Sequence, residues 1–199
     1  MKIAHTLVIL AIASLAGCHS AQHAHDHAHH HAHNHAHHHD SIWDDYVHDY
    51  EASGMFGRWI SEDVTENMWV GIPAGLKYTQ VSENMLSPDG TRIIDSYIMS
   101  TEEGHVISAG ASITYYDTNL NKILKSTSGF DMGKPYHGTS VLLSRDEKSE
   151  SWEYTEHSQG QTTTYAGTTR MINKDTMENS VRRKDGTGVT DTGTRTRHN

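Results

Sequence analysis

His105-Val106-Ile107-Ser108-Ala109-Gly110-Ala111-Ser112-Ile113-Thr114-Tyr115-Tyr116 alternates in character from Ile107 to Tyr115. Its odd positions from Ile107 to Tyr115 form an apolar face, while Ser108, Gly110, Ser112 and Thr114 point the other way, as a half-buried strand requires. Many other candidate strands are rich in Thr and Ser. Thr162 to Thr169 is polar on both faces, and only 35% of the chain is hydrophobic. A barrel of such strands has a partly polar interior suited to a small polar or amphipathic ligand.

Working outward, turn chemistry recurs at Ser87-Pro88-Asp89-Gly90, Asp117 to Asn121, Asp131 to Gly133, Ser158 to Gln161, Asn173 to Asp175 and Asp185 to Gly188. Between these turns the expected strands are 58–62, 76–85, 92–100, 105–116, 122–130, 138–144, 151–157, 162–171, 177–183 and 189–195. No long helical period interrupts them. The expected fold is mainly β, an antiparallel up-and-down β-barrel of about eight to ten strands. Residues 41–54 form a short helix ahead of it, with Asp40 or Ser41 as cap, Ile42, Trp43, Tyr46, Val47 and Tyr50 on one face, and Gly54 marking its end.

The chain divides into four parts: 1–17 as an export signal, 18–40 as an arm, 41–54 as the helix and 55–199 as the barrel. Leu7 to Ala16 is apolar but too short for the ~20 residues that span a bilayer, so it reads as a signal core. Cys18 is the one cysteine, which leaves no partner for an intramolecular disulfide. The arm contains the stretch HAHDHAHHHAHNHAHHH, His23 to His39, in which eleven of seventeen residues are histidine. With no apolar side chain larger than alanine, it cannot offset the entropy of ordering itself. His23, His25, His27, His29, His30, His31, His33, His35, His37, His38 and His39 instead offer many overlapping imidazole pairs. Such a tract binds several late first-row ions in fast exchange, with Zn expected first on availability and Ni or Cu behind it. A pH-responsive spacer is the competing reading of the same tract, because unperturbed imidazole titrates near pH ~6.5.

Two resemblances sharpen the picture. Leu15-Ala16-Gly17-Cys18 resembles the lipobox of bacterial lipoproteins, which implies that Cys18 becomes the first mature residue and carries acyl chains. His19 in place of Asp after it is similar to the pattern that sorts such proteins to an outer membrane. Gly57-Arg58-Trp59 resembles the G-x-W opening of lipocalin-type (calycin) barrels. Together with Tyr115-Tyr116-Asp117, Met177 to Gly186 and Thr192 to Arg197, it is similar to a family of uncharacterised bacterial lipocalin-like domains. That resemblance implies that Trp59 closes one barrel end beneath a late-strand arginine, with Arg182, Arg183 or Arg195 available for the role. Periplasmic zinc-binding proteins that join a His-rich arm to a calycin domain are a related architecture. The body here holds no matching ligand motif, so their barrel site is not carried over.

A net charge of -9 argues against nucleic acid as a partner. The eight methionines are scattered, which makes packing their default role. None of His48, His105, His137, His157 or His198 falls in a metalloprotease, nucleophile-elbow or Cys-His pattern, so no catalytic residue is assigned and no enzyme is expected. His48 and Asp49 read as solvated helix positions. His137 is placed in a turn entering a strand, and a site of His137, His157 and a carboxylate such as Glu156 requires adjacent strands to bring them together. The expectation is a lipid-anchored envelope protein, outer-membrane or periplasm-facing, whose arm captures, buffers or hands over divalent metal to a transporter. The alternative is a barrel that holds a small amphipathic ligand, with the arm accessory. A wide lumen with convergent polar groups favours the second reading, and a filled lumen the first.

Overall fold

The computed structural model describes residues 41–188 and 190–198. The signal, Cys18 and the histidine arm lie outside the described residues. One helix, α1 (Ser41–Ala52), precedes ten strands: β1 (Gly57–Val64), β2 (Lys77–Leu86), β3 (Ile93–Ser100), β4 (Val106–Asp117), β5 (Lys122–Asp131), β6 (Lys134–Arg145), β7 (Ser149–Ser158), β8 (Gln161–Asn173), β9 (Thr176–Arg183) and β10 (Asp191–Arg197). Each strand pairs antiparallel with the next, and β1 returns to β10, giving a closed up-and-down barrel. All ten expected strands are present with shifted ends. The largest shift is in β6, which begins four residues early because Met132 (φ 50°) and Gly133 (φ 78°) make a tight left-handed turn that pairs Asp131 directly with Lys134. His137 therefore lies inside a strand and not in a turn.

The barrel is polar inside and partly apolar outside. In β4 Ser108, Ser112 and Thr114 are buried, while Ile113 is 44% exposed on the outer wall. The inversion starts at a bulge. Register slips between Met99 and Ser100 of β3, so both Ile107 and Ser108 are buried and the alternation changes phase after Ile107. From there the small residues face in. On the outside, Met85, Ile94 and Ile113 form one cross-strand row, and Ile98, Ala109 and Phe130 a second. Beyond β5 the outer wall is mostly polar, as in the outward row Thr168–Ser180–Thr192, with Leu143 and Ile172 as exposed apolar exceptions.

Apolar side chains gather at the two barrel ends instead. At one, α1 lays Trp43, Tyr46 and Tyr50 against Met55, Trp59, Ile93, Ile123, Trp152, Met171 and Met177. Gly54 (φ 78°) ends the helix in the left-handed conformation that suits glycine. Trp43 then pins the helix by donating its indole N–H to Gly90 O of the β2–β3 turn at 2.7 Å. At the other end the β1–β2 connection folds over the barrel. Ile72 and Trp69 pack with Met99 and Ile107, and Arg183 Nε donates to Met68 O at 2.6 Å. Two caps with a polar middle leave the strand walls to shape a cavity.

Trp59 sits 1% exposed beneath a late arginine, as the G-x-W resemblance implied, but the arginine is Arg197 and not Arg182, Arg183 or Arg195. Register along the strands explains the correction: Arg197 is the partner of Trp59 across the β1–β10 seam, while Arg195, on the same face two residues earlier, reaches Ser82 Oγ. In β9 and β10 the inward positions nearest Trp59 belong to Met177 and Arg197, while Arg182 points out and Arg183 reaches Met68 at the opposite cap.

Candidate functional site

Between the caps lies a cavity of about 330 Å³. Its wall on β3 to β6 is built from a row of four register partners, Tyr97, Gly110, Gly129 and Tyr136. The two glycines make room for the two phenol rings, whose hydroxyls hydrogen-bond to each other. Ser108 Oγ donates to Asp131 Oδ1 at 2.6 Å, so its own lone pairs receive Tyr97 Oη at 3.0 Å, and Tyr97 in turn accepts from Tyr136. The relay Tyr136–Tyr97–Ser108–Asp131 ends on a carboxylate. Burial raises the Asp131 pKa, and the Ser108 hydrogen bond pulls the other way.

Glu156 on β7 completes the acidic end. It is 2% exposed, and burial together with the nearby Asp131 charge pushes its pKa up to about 7. Its Oε1 has no well-aligned donor, and neither does the buried Ser158 Oγ. Tyr154 lies against Gly138, where any Cβ would strike its ring. Further along the lumen Trp152 Nε1 and Asn179 Nδ2 are buried without protein acceptors, while Asn179 Oδ1 accepts from Thr169. Lys125 Nζ stands 3.5 Å from Asp95 Oδ2 and 5.1 Å from the Trp152 ring centre. Unpartnered buried donors and acceptors are costly in a folded protein unless water or a ligand meets them. Of these, Glu156, Trp152 and Asn179 converge on one space with aromatic walls.

A second charged cluster lies under α1. Arg145 spreads over the Tyr46 and Tyr50 rings at 4.7 and 5.6 Å, with Glu150 Oε2 3.7 Å from its Nη1. Tyr46 Oη donates to Glu150 at 3.4 Å, and Asn84 Nδ2 donates to Tyr50 Oη at 3.1 Å. The helix is thus held by buried polar contacts as well as by apolar packing.

The wall is weakest at its seam. β1 and β10 share only the pairs Trp59–Arg197 and Ile60–Thr196, whereas β1 and β2 share eight. Beside the unpaired stretch a smaller cavity of about 110 Å³ is lined by Ser61, Glu66, Asp191 and Arg195. Burial, then the neighbouring Asp63 and Glu66, raise the Asp191 pKa. The seam is acidic and opens toward the lumen residues Gln80, Asn179 and Val181, which line both spaces.

Of the residues singled out from sequence, Cys18 and the eleven arm histidines lie outside the described residues. His48 is exposed on α1, and His105 is exposed ahead of β4. His137 and His157 do come together as register partners, but Glu156 faces the lumen while the histidines face out. Period-two geometry forbids that triad. Among the described residues no group of three or more His, Cys, Asp or Glu is arranged to hold a metal. Sequence reasoning missed Tyr97, Asp131 and Tyr136, and singled out Glu156 only as a carboxylate for the two histidines, not as a lumen residue. The signal was the pairing of Gly110 with Gly129 opposite two tyrosines, legible only once register was known. Comparison with known proteins gives no matching family model and no matching curated relative.

Proposed function

We propose that the barrel is a lipocalin-like carrier for a small amphipathic molecule whose amine or hydroxyl head sits against Asp131, Glu156 and Tyr136. The observation that carries this reading is the roughly 330 Å³ lumen into which buried, unpartnered polar atoms converge. That volume is at the small end of ligand pockets, ~300–1,000 Å³. Trp59, Trp152 and Tyr165 supply an apolar wall for a chain or ring, and the carboxylates supply acceptors for a donor head. The acidic β1–β10 seam is the favoured way in, because few ladder hydrogen bonds must break there. Titration of intrinsic tryptophan fluorescence with decylamine, decanol and decanoate tests the reading. Saturable binding of the first two, weakened by Glu156→Gln, is expected. Absence of a saturable response to all three sinks it.

A second reading concerns the arm and rests on the eleven imidazoles of His23 to His39. We propose that the arm binds divalent transition metal, Zn before Ni or Cu, beside the membrane to which acylated Cys18 anchors the chain. Capture, buffering or hand-over to a transporter follows from fast exchange among overlapping sites. Calorimetry with Zn(II) on the mature protein, with and without residues 19–39, decides it. Unchanged stoichiometry after deletion rules the arm out as the metal site. Replacing Cys18 by Ser should release the protein from the membrane fraction.

A further inference from the structure

One cross-strand row on the outer wall is built of Ser128, His137, His157 and Thr162, from β5 to β8. The two imidazoles are both exposed, and their ring centres are 5.0 Å apart with planes inclined at 31°. His157 Nδ1 lies 2.9 Å from Thr162 Oγ1. With Nδ1–H donating to that hydroxyl, the Nε2 lone pair is free and the ring is oriented from behind, as second-neighbour hydrogen bonds orient metal-bound histidines.

The spacing of the rings is the spacing chelation needs. A metal at ~2.0–2.1 Å from each nitrogen lies roughly 3.2 Å from each ring centre, so nitrogen–metal–nitrogen angles of about 90–110° put the centres roughly 4.5–5.2 Å apart. The observed 5.0 Å falls inside that window. Both rings stand on adjacent paired strands, one register pair in from the Tyr136–Ser158 end of the ladder and flanked by the pairs to Ser128 and Thr162, so little backbone freedom is lost when an ion arrives.

We propose that His137 and His157 form a two-imidazole site for a divalent transition metal on the outer wall of the barrel. The donor set decides the class of ion. The same-face neighbours along the two strands are Thr139 and Thr155, and Glu156 is turned into the lumen, so the site is nitrogen-based and carries no carboxylate charge. That composition disfavours Ca(II) and Mg(II), and orders affinity as Cu(II) over Ni(II) and Zn(II). Two protein ligands leave coordination positions open to water or to an added imidazole. The site uses none of the residues of the lumen and none of the arm, and it stands or falls separately from both readings above.

The test uses the full chain with every histidine from His19 to His39 replaced by Gln, so that arm imidazoles cannot mask the pair. Cu(II) is titrated and followed by calorimetry and electron paramagnetic resonance. One more ion per chain is expected than in the His137→Asn/His157→Asn double variant, with hyperfine splitting from two nitrogens. Each single variant should lose at least tenfold in affinity, and Thr162→Val a few-fold. Because both side chains are exposed, circular dichroism should show all variants folded. Saturating Ni(II) should raise the thermal midpoint of the parent and not of the double variant, since only the folded ladder brings the rings together. Equal copper stoichiometry in parent and double variant, or a midpoint indifferent to Ni(II) in both, overturns the proposal.

Discussion

The hydroxyls of Tyr97 and Tyr136 meet inside the barrel above two glycines, Gly110 and Gly129, that are themselves register partners. A Cβ built on Gly129 would stand 2.6 Å from Tyr136 Oη and would also strike the Ala109 carbonyl. The row therefore has room for two rings only because its middle carries no side chains. Gly129→Ala should destabilise the protein by about 1–3 kcal/mol, the usual range for overpacking. Urea denaturation measures it, and Tyr136→Phe combined with Gly129→Ala should recover only part of the loss, because the backbone clash persists.

Arg197 closes the barrel. Its guanidinium carbon lies 4.5 Å over the centre of Trp59, Nη1 donates to Phe56 O at 2.8 Å, Nε donates to Lys174 O at 3.1 Å, and Nη2 donates to Gly54 O. One side chain thus ties the last strand to the turn that opens the first, across a seam with only two ladder pairs. Arg197→Ala should cost about 2–4 kcal/mol, from three charge-assisted bonds and a desolvated cation–π contact. Arg197→Lys should recover less than half, since an ammonium cannot fork to three carbonyls. Thermal melts of the three proteins check the order.

Glu156 makes stability depend on pH near neutrality. Its folded pKa is raised to about 7, chiefly by burial and then by Asp131. An exposed glutamate titrates near ~4.3. The folded state therefore holds the proton more tightly. The associated stability is fully present below the unfolded pKa, falls as pH rises, and is lost once pH passes about 7. The total loss should be about 3–4 kcal/mol, at ~1.36 kcal/mol per pKa unit. Chemical denaturation from pH 4 to 8 should show the decline, and Glu156→Gln should flatten it. A decline of equal size in the Gln variant would assign the effect to other groups.

Arg145 and Glu150 are both nearly inaccessible, at 9% and 5% side-chain exposure, and face each other at 3.7 Å under α1. Removing the arginine alone leaves a buried carboxylate without its counter-charge. Arg145→Ala should cost about 3–5 kcal/mol. The Arg145→Met/Glu150→Gln double variant should lie much closer to the parent, because neither partner is then left charged and alone. A double-mutant cycle by calorimetric melting separates the pair's coupling from lost packing on Tyr46 and Tyr50.

Strand number, order and approximate bounds were legible in the sequence because turns such as Asp131-Met132-Gly133-Lys134 are written in local residue chemistry, and sequential hairpins leave few other topologies. The alternation of Val106 to Tyr116 likewise marks a strand. It does not say which face is inside. Ile113 is a hydrophobic residue on the outer wall and Thr114 a polar one at 1% exposure, and the bulge at Ile107 that sets their phase arises from pairing with β3.

By itself, then, the sequence determined the barrel, its preceding helix and the imidazole-rich composition of residues 23–39, since each follows from local pattern or composition. A partly polar interior was already expected from the Ser- and Thr-rich strands; tertiary structure alone decided that Ser112 and Thr114 face it while Ile113 faces out, that Arg197 covers Trp59, that Asp131 shares its end of the cavity with Glu156, and that His137 meets His157. Those relationships join residues on different strands, and cross-strand register, not local propensity, sets which side chains share a face.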